Sequence, residues 1–582
     1  MSNASLELGG DNWAAKDGNL LGYAVGDSSG KYVPREFTFT RGSNLAATRV
    51  AANGLIEKGR ENLLLQSNNF GTTWTRSNVG VTSGQSGYDD SSDAWLLDIS
   101  GGASSQRIEQ SMSFGGIQTF SVYAKAGTLN WIRMRGSSNT YFDLANGVIG
   151  ADGHIDSKIE SIGNGWYRCS VVTETSTLAR IYLATDNGNV TQSSGNIYIQ
   201  DAQLEQGLVA TDYIETGATT VQAGLLEDEP RIDYTGGTGS LLLEPSRTNV
   251  WEYSEYLDYS FDSVSSVTTT QNTTETLSPE GLYNATKLEG VGSWSLRDFI
   301  GGTGTGTWTI SCYVKAVNAS SNNTFRLSVG GNNYSSNLTA TSEWQRFEFT
   351  FTNGSQSACG ILRDSSANDA DLYIYGVQVE EGSYPTSYIP NHSGGSVTRA
   401  ADDCDGAVNA SNFNDTEGVL YIELSYLQDG RLAIKNSDSS DQVVIGVSSG
   451  NIFYRARENN TNIITEFTGV SGISNRKIAL RYRSGDTSIF IDGVEYNVNT
   501  SNYTLSSLNQ FLFFSEGNTT YGNVKQVLYF PTALSDAQCS ALTVEGLKEE
   551  ILTSYIAAVD TLEDGAEARL DTYLQNLEEL IV

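Results

Sequence analysis

Histidine is nearly absent: His154 and His392 are the two that 582 residues contain. Each stands in a turn-like stretch, Ala151-Asp-Gly-His154 and Pro390-Asn-His392, so both are expected at the surface. One histidine in each of two distant segments cannot assemble a Ser-His-Asp set or a two-histidine metal site. Cysteine is scarce as well. Cys169, Cys312, Cys359, Cys404 and Cys539 are odd in number and have no CxxC spacing, which excludes a zinc or disulfide framework and leaves buried reduced thiols. Positive charge is short, with 35 Lys plus Arg against 68 Asp plus Glu and a net charge of −33. Such a surface repels phosphate backbones and anionic headgroups, so no nucleic acid and no membrane insertion is expected. No run approaches the roughly 20 apolar residues of a spanning helix. The stretch Met1-Ser-Asn-Ala-Ser-Leu has neither the basic nor the apolar region of a secretory signal, so the expectation is a chain made and folded in a cytoplasm. GxxxxGK, a GxGxxG opening a helix, and HExxH are all missing.

What is present is aromatic. Hydrophobic residues are only 38%, a share that would suit disorder, yet the chain carries 30 Tyr, 20 Phe and 9 Trp along with 60 Gly. Many short strands joined by polar, Gly-rich turns satisfy both facts. The expected fold class is all-β, and the length implies about three or four domains.

An internal repeat organises the first four hundred residues. Arg60-Glu-Asn62-Leu recurs as Arg247-Thr-Asn249-Val, and each is followed by a serine, Ser67 or Ser254. Phe120 to Lys125 recurs as Ile310 to Lys315, and Trp166-Tyr-Arg168 as Trp344-Gln-Arg346. Tyr198-Ile-Gln-Asp-Ala-Gln203-Leu-Glu205 recurs as Tyr373-Ile-Tyr-Gly-Val-Gln378-Val-Glu380, and the match runs on through Thr211, Tyr213 and Ile214 to Thr386, Tyr388 and Ile389 at a constant offset of 175. Alternate residues in these segments are mostly apolar or aromatic, as one buried sheet face requires, with Gln200 the exception. A unit of about 160 residues with many strands and no helical period describes a two-sheet jelly roll. The expected division is a leader or docking segment 1–60, jelly roll one at 61–222, a linker 223–240, and jelly roll two at 241–400.

The signatures ENLLLQSNNF, FSVYAKAG, NGWYR and YIQDAQLEQG, with EPSRTN, ISCYVKA and LYIYGVQVEEG, resemble those of tail- and head-fibre proteins of bacteriophages, whose domains are similar to carbohydrate-binding jelly rolls. After Asp402 another pattern begins. Gly418 to Leu424 reads as a strand, Ile478 to Tyr482 and Ser488 to Asp492 as a strand pair ending in an Asp-Gly turn, and Gly522 to Phe530 as a late strand before Leu534-Ser-Asp536. FIDGVEY and VLYFPTALSDAQ resemble the late strands and closing short helix of laminin-G and concanavalin-like sandwiches, placing such a domain at 401–545. The remaining residues, 546–582, turn to Leu, Glu, Ala and Lys with a helical period. Tyr555, Val559, Leu562, Ala566, Leu570, Tyr573, Leu577 and Leu580 form a coiled-coil seam with one stutter. A seam of this kind needs covering, so the tail is expected to oligomerise or dock, and the fibre resemblance favours a trimer.

Chemistry is mostly missing. Glycosidases need two carboxylates; Glu417, Glu423 and Glu495 occur in the third domain without an ExDxxE-like spacing, and Glu205 and Glu380 are expected to complete the repeat by packing. No catalytic and no metal residue is assigned. Calcium is implied only by analogy with jelly rolls, and no DxDxDG-type loop supports it. Trp166, Trp344, Tyr198 and Tyr373 recur within alternating strands and are expected in the core. Sugar-stacking candidates must then come from loops that the copies do not share, of which Tyr141, Tyr334, Tyr503 and Tyr521 are examples. The expected role is a non-enzymatic structural and adhesive virion protein that contacts other virion proteins and a host-surface glycan. The alternatives are a polysaccharide-degrading tail spike and a purely structural decoration protein.

Overall fold

The computed structural model describes residues 4–544 except 11–12, 17–18, 26–31, 43–44, 103–104, 113, 259–262, 299–305, 319–322, 332, 355–357, 364–370, 408–409, 429, 472–473 and 514–520. The expected tail helix, with its seam from Tyr555 to Leu580, lies outside the described residues. Among the described residues the chain is all-β, made of tandem jelly-roll sandwiches and a third sandwich-like domain. Among the described residues the one α-helix is Asp536–Thr543. Ser535 starts it with a capping box: its hydroxyl accepts from the Gln538 N–H while the Gln538 side chain accepts from the Ser535 N–H.

Two compact units divide the chain. The first joins the described residues of three segments, 4–41, 228–245 and 401–544. Its centre is the strand Tyr521–Phe530, paired on one side with Glu417–Gln428 and on the other with both Leu6–Gly9 and Ser240–Leu243. Glu417–Gln428 continues the sheet through Arg476–Arg483, Thr487–Ile491 and Val494–Asn499. The facing sheet runs from Asp403–Ala407 through Gln510–Phe513, Gly430–Lys435, Gln442–Ser448 and Asn451–Glu458 to Thr461–Ser471. Tyr32–Thr40 pairs with Asn19–Val25 of one sheet and with Asp403–Ala407 of the other, joining them along one side.

Of the expected leader 1–60, the described residues up to 41 therefore belong to this unit and 42–60 to the second, and 228–240 of the expected linker 223–240 pairs into this unit as well. Leu6, Leu8, Leu20, Phe37 and Phe39 are buried in the same core as Leu420, Val527 and Tyr529. Alternation of apolar residues, Leu6 with Leu8 and Phe37 with Phe39, commits these early strands to a sheet face. Three separated segments of the unit meet at a fully buried ion cluster. Arg231 pairs with Glu244 at 2.7 Å and also with Asp402, which Arg41 approaches at 3.4 Å. Such a cluster tolerates no missing member, because an unpaired charge would be left in a dry interior.

The second unit joins Gly42–Glu227 and Ser246–Ala400 and holds both jelly rolls. In the first, one sheet runs Asp156–Gly163, Trp166–Glu174, Ile117–Ala126, Asn196–Gln206, Ala94–Ile99, Val79–Gln85. The other runs Val148–Asp152, Asn139–Asp143, Trp131–Arg135, Leu178–Ala184, Arg107–Ser111, Thr75–Ser77. The second jelly roll repeats the inner order with Gln345–Gly354, Gly306–Ala316 and Leu372–Glu381 in one sheet and Leu338–Thr339, Thr324–Ser328 and Cys359–Arg363 in the other. Its long strand Thr286–Asp298 serves both sheets, pairing with Leu372–Glu381 at its start and Cys359–Arg363 at its end. Val148–Asp152 and Asp156–Gly163 have no counterpart among the described residues of the second copy.

The register is shared to the residue. Lys125 faces Tyr198 as Lys315 faces Tyr373, and Ser121 faces Gln203 as Ser311 faces Gln378. Both pairings then shift at the same place, between Ser121 and Tyr123 and between Ser311 and Tyr313, a β-bulge kept in both copies.

Candidate functional site

Each jelly roll carries the same buried polar scaffold. Asn62 donates to the Ala202 and Ile214 carbonyls and accepts from the Leu204 N–H; Asn249 donates to the Ile389 carbonyl and accepts from the Val379 N–H. Gln203 donates to Glu205 at 2.6 Å and Gln378 to Glu380 at 2.6 Å. Each glutamate then accepts from the backbone and hydroxyl of a threonine, Thr211 or Thr386. Burial pushes both carboxyls above their usual range against these hydrogen bonds. Arg168 lies over Tyr123 and Arg346 over Tyr313, at 5.3 and 5.6 Å, and each donates to the serine two residues earlier, Ser121 or Ser311. Glu205 and Glu380 are packing residues of a closed network and are saturated by it.

Where the copies differ, the chemistry appears. Beside the bulge, copy one places Asn68 and Gln200; the repeat puts Glu255 and Tyr375 at those positions in copy two. Around Glu255 a cluster forms with Glu280, Asn284, Tyr375 and Tyr388, all buried. Its cation comes from elsewhere: Lys58, on the strand Ile56–Asn62, reaches in to Glu255 at 2.9 Å and Glu280 at 3.0 Å. Arg60 from the same strand meets Glu280 at 3.0 Å. Tyr375 donates to both carboxylates, Tyr388 to Glu255, and Asn284 to both. Burial pulls the Lys58 ammonium down, but the two carboxylates outweigh it and hold it above its usual value. Burial likewise raises Glu255, and the Lys58 ammonium with the Tyr388 hydrogen bond reverses this, holding the carboxyl below its usual range. A carboxylate so held is neither a general acid nor a base near neutrality.

Lys58, Arg60, Glu255, Glu280 and Asn284 of this cluster line a cavity of about 580 Å³, inside the usual size range of small-molecule sites. Leu208, Leu282, Pro390 and Phe114 supply apolar wall, and Phe114 is 36% exposed. His392 also lines it and is 6% exposed. The expectation of a surface histidine fails here because the loop after Pro390 is folded inward: its carbonyl accepts from the Ile117 N–H and Asn391 is fully buried. His154 is part-buried as well. Its Nδ1 lies 2.7 Å from the Thr140 hydroxyl and its Nε2 accepts from the Gly136 N–H at 3.3 Å.

The sugar-stacking candidates fare unevenly. Tyr141 and Tyr503 are buried at 8% and 6% exposure, so neither is a platform. Tyr141 lies in the strand Asn139–Asp143, and the Tyr503 hydroxyl pairs with Thr487 at 2.7 Å. Tyr334 accepts from Arg297 at 2.9 Å, and Tyr521 packs against Tyr426 at 5.1 Å. Trp166 and Tyr373 are core residues, whereas Trp344 and Tyr198 are only partly buried, the former donating to the Leu277 carbonyl at 2.8 Å. Glu417, Glu423 and Glu495 each meet a cation, Arg483, Lys477 and Arg481 in turn. Among the described residues no group of three or more His, Cys, Asp or Glu is placed to hold a metal ion. No helix among them is long and apolar enough to cross a membrane.

No family model and no curated protein matches the chain. Among solved structures it is similar to the carbohydrate-binding module CBM40 of the Ruminococcus gnavus IT-sialidase, bound to α2,3-sialyllactose, at 14% identity over 22% of this chain and 84% of that one, with a TM-score of 0.20. It is similar to the tandem CBM22 modules of Paenibacillus barcinonensis Xyn10C at 10% identity over 59% and 99%, TM-score 0.19. The LG1-3 region of the laminin alpha2 chain aligns at 9% identity over 75% and 98%, TM-score 0.14. Likenesses at this level say nothing of what this chain binds.

Proposed function

We propose that this chain is a non-catalytic adhesive and structural protein of a bacteriophage particle, a fibre or decoration, whose tandem jelly rolls meet a host-surface glycan. One observation carries the binding role: a concave site in the jelly-roll unit that combines apolar wall, a half-exposed aromatic and a polar floor. The virion setting rests on the fibre-like sequence signatures. Other virion proteins would be neighbours, and the 546–582 seam would join copies, as a trimer in the favoured form.

The rival reading, a polysaccharide-degrading spike, needs an acid–base carboxylate pair. The glutamates that face each other across Lys58 are instead locked by it, with Glu255 ionised far below neutral pH.

The full chain, incubated with host capsule or exopolysaccharide, should be retained on the polymer without releasing new reducing ends. Antibody against the chain should lower adsorption of the particle. New reducing ends would establish the spike. Absence of both retention and antibody effect would leave a purely structural decoration protein.

A further inference from the structure

His392 is the anomaly of the jelly-roll unit. Both ring nitrogens lack a hydrogen-bond partner although the residue is only 6% exposed. Glu255 Oε1 stands 3.6 Å from Nε2, beyond hydrogen-bond range. Buried polar atoms are almost always satisfied, because one left without a partner has given up its water for nothing. Here both atoms belong to a residue lining the cavity. Gly207, at φ 121°, lies on the same side, and a Cβ there would stand 4.0 Å from Nε2.

From this geometry we propose that the cavity binds the end of a neutral, hydroxyl-rich saccharide, with His392 hydrogen-bonding its hydroxyls and Phe114 stacking on its apolar face. The inference deepens the glycan-binding reading and rests on it. A neutral imidazole offers one N–H and one bare nitrogen, the donor and acceptor that two neighbouring hydroxyls satisfy. Burial lowers the His392 proton affinity, outweighing the nearby Glu255, so the ring stays neutral. The charge around the cavity disfavours an anion. Lys58 and Arg60 are matched by Glu255 and Glu280, and Glu61 and Glu227 also line the cavity. Phe114, which also lines the cavity, supplies the ring on which C–H groups of a pyranose stack.

The test uses the full chain in ligand-observed NMR titrations. Galactose, glucose and N-acetylglucosamine are the probes, N-acetylneuraminic acid is the anionic control, and a broad glycan array is run alongside. At least one neutral sugar should bind saturably. Leu282→Trp, which fills the cavity, and His392→Gln should each weaken that binding tenfold or more, about 1.4 kcal/mol. Phe114→Ala changes only a surface ring and should weaken it several-fold, so the prediction stands even where Leu282→Trp does not fold. Array binding untouched by His392→Gln and Phe114→Ala would place the glycan elsewhere, overturning the cavity while sparing the adhesive reading. Binding of N-acetylneuraminic acid alone, lost in the same variants, would overturn the neutral ligand class. Silence of the array together with the probes would end both readings.

Discussion

Asp201 and Gly376 hold the same left-handed backbone position in the two jelly rolls, at φ 51° and 64°. Both fall inside the shared bulge, where one strand carries an extra residue and its backbone must turn the wrong way for an L side chain. Glycine meets the requirement without cost in copy two. In copy one an aspartate meets it, and its carboxyl is buried beside Asp89 and Asp93 with one hydrogen bond from Tyr88 at 2.9 Å.

That burial, with the neighbouring carboxylates, raises Asp201 to about 7, above the unfolded value of about 3.9. The folded state therefore holds a proton that the unfolded chain has lost. The stability this contributes is full below about pH 4 and disappears as pH rises through 7. Asp201→Asn keeps the left-handed backbone and the Tyr88 contact without the charge. It should raise the melting temperature at pH 8 by about 5 °C and flatten the curve between pH 4 and 7. Calorimetry across that range checks both.

His154 should act with the opposite slope. Its Nε2 accepts from the Gly136 N–H, and burial lowers its pKa to about 4 against the pull of Asp152. The unfolded value is about 6.5, so the stability it supports is complete above pH 6.5 and is lost as pH falls toward 4. In the Asp201→Asn background, where the aspartate no longer offsets it, thermal melts should show this fall. His154→Gln should remove the dependence.

The repeat was legible because its marks are residues that cannot be replaced cheaply. Asn62 and Gln203 each close several backbone bonds and Glu205 holds Gln203 and Thr211 together, as their partners do in copy two, so these identities recur where the surrounding apolar residues differ. The sandwich strands Leu6–Gly9 and Tyr32–Thr40 were not legible as part of the third domain, since alternation reveals a strand but not the strand it pairs with hundreds of residues away. The cluster at Glu255 was missed for a related reason. Its cation, Lys58, comes from a strand that sequence alone placed in a leader. A signal was present all the same: Asn68 becomes Glu255 and Gln200 becomes Tyr375, changes of chemistry at two positions of the repeat, the second of them buried in both copies. His392 read as a surface turn because the chemistry of Pro-Asn-His fits a loop, and a loop folded inward has the same sequence.

Removing one member of the repeated network should cost both copies alike. Gln203→Leu leaves the Ile214 N–H without its acceptor, and Gln378→Leu does the same to the Ile389 N–H. Each also strips a donor from a buried glutamate. Urea unfolding should report a loss of about 2–4 kcal/mol for either variant, equal within a factor of two. A large loss in one and none in the other would show that the scaffold is shared in form but not in energy.

The tail seam makes a prediction from sequence alone. Charge placed on it, Leu562→Asp with Leu577→Asp, should convert an oligomer to a monomer while the β-sandwiches stay folded. Light scattering that gives one mass before and after would mean that the stripe is covered within its own chain.

The central claim is that the jelly rolls bind glycan and do not cleave it. Its most direct measurement is the intact chain on an array of host-surface and related glycans, with each bound glycan recovered and its mass determined. Retention of a restricted set of glycans, every one recovered at its starting mass, is the predicted result. Shortened glycans, or no retention on any feature of the array, would contradict it.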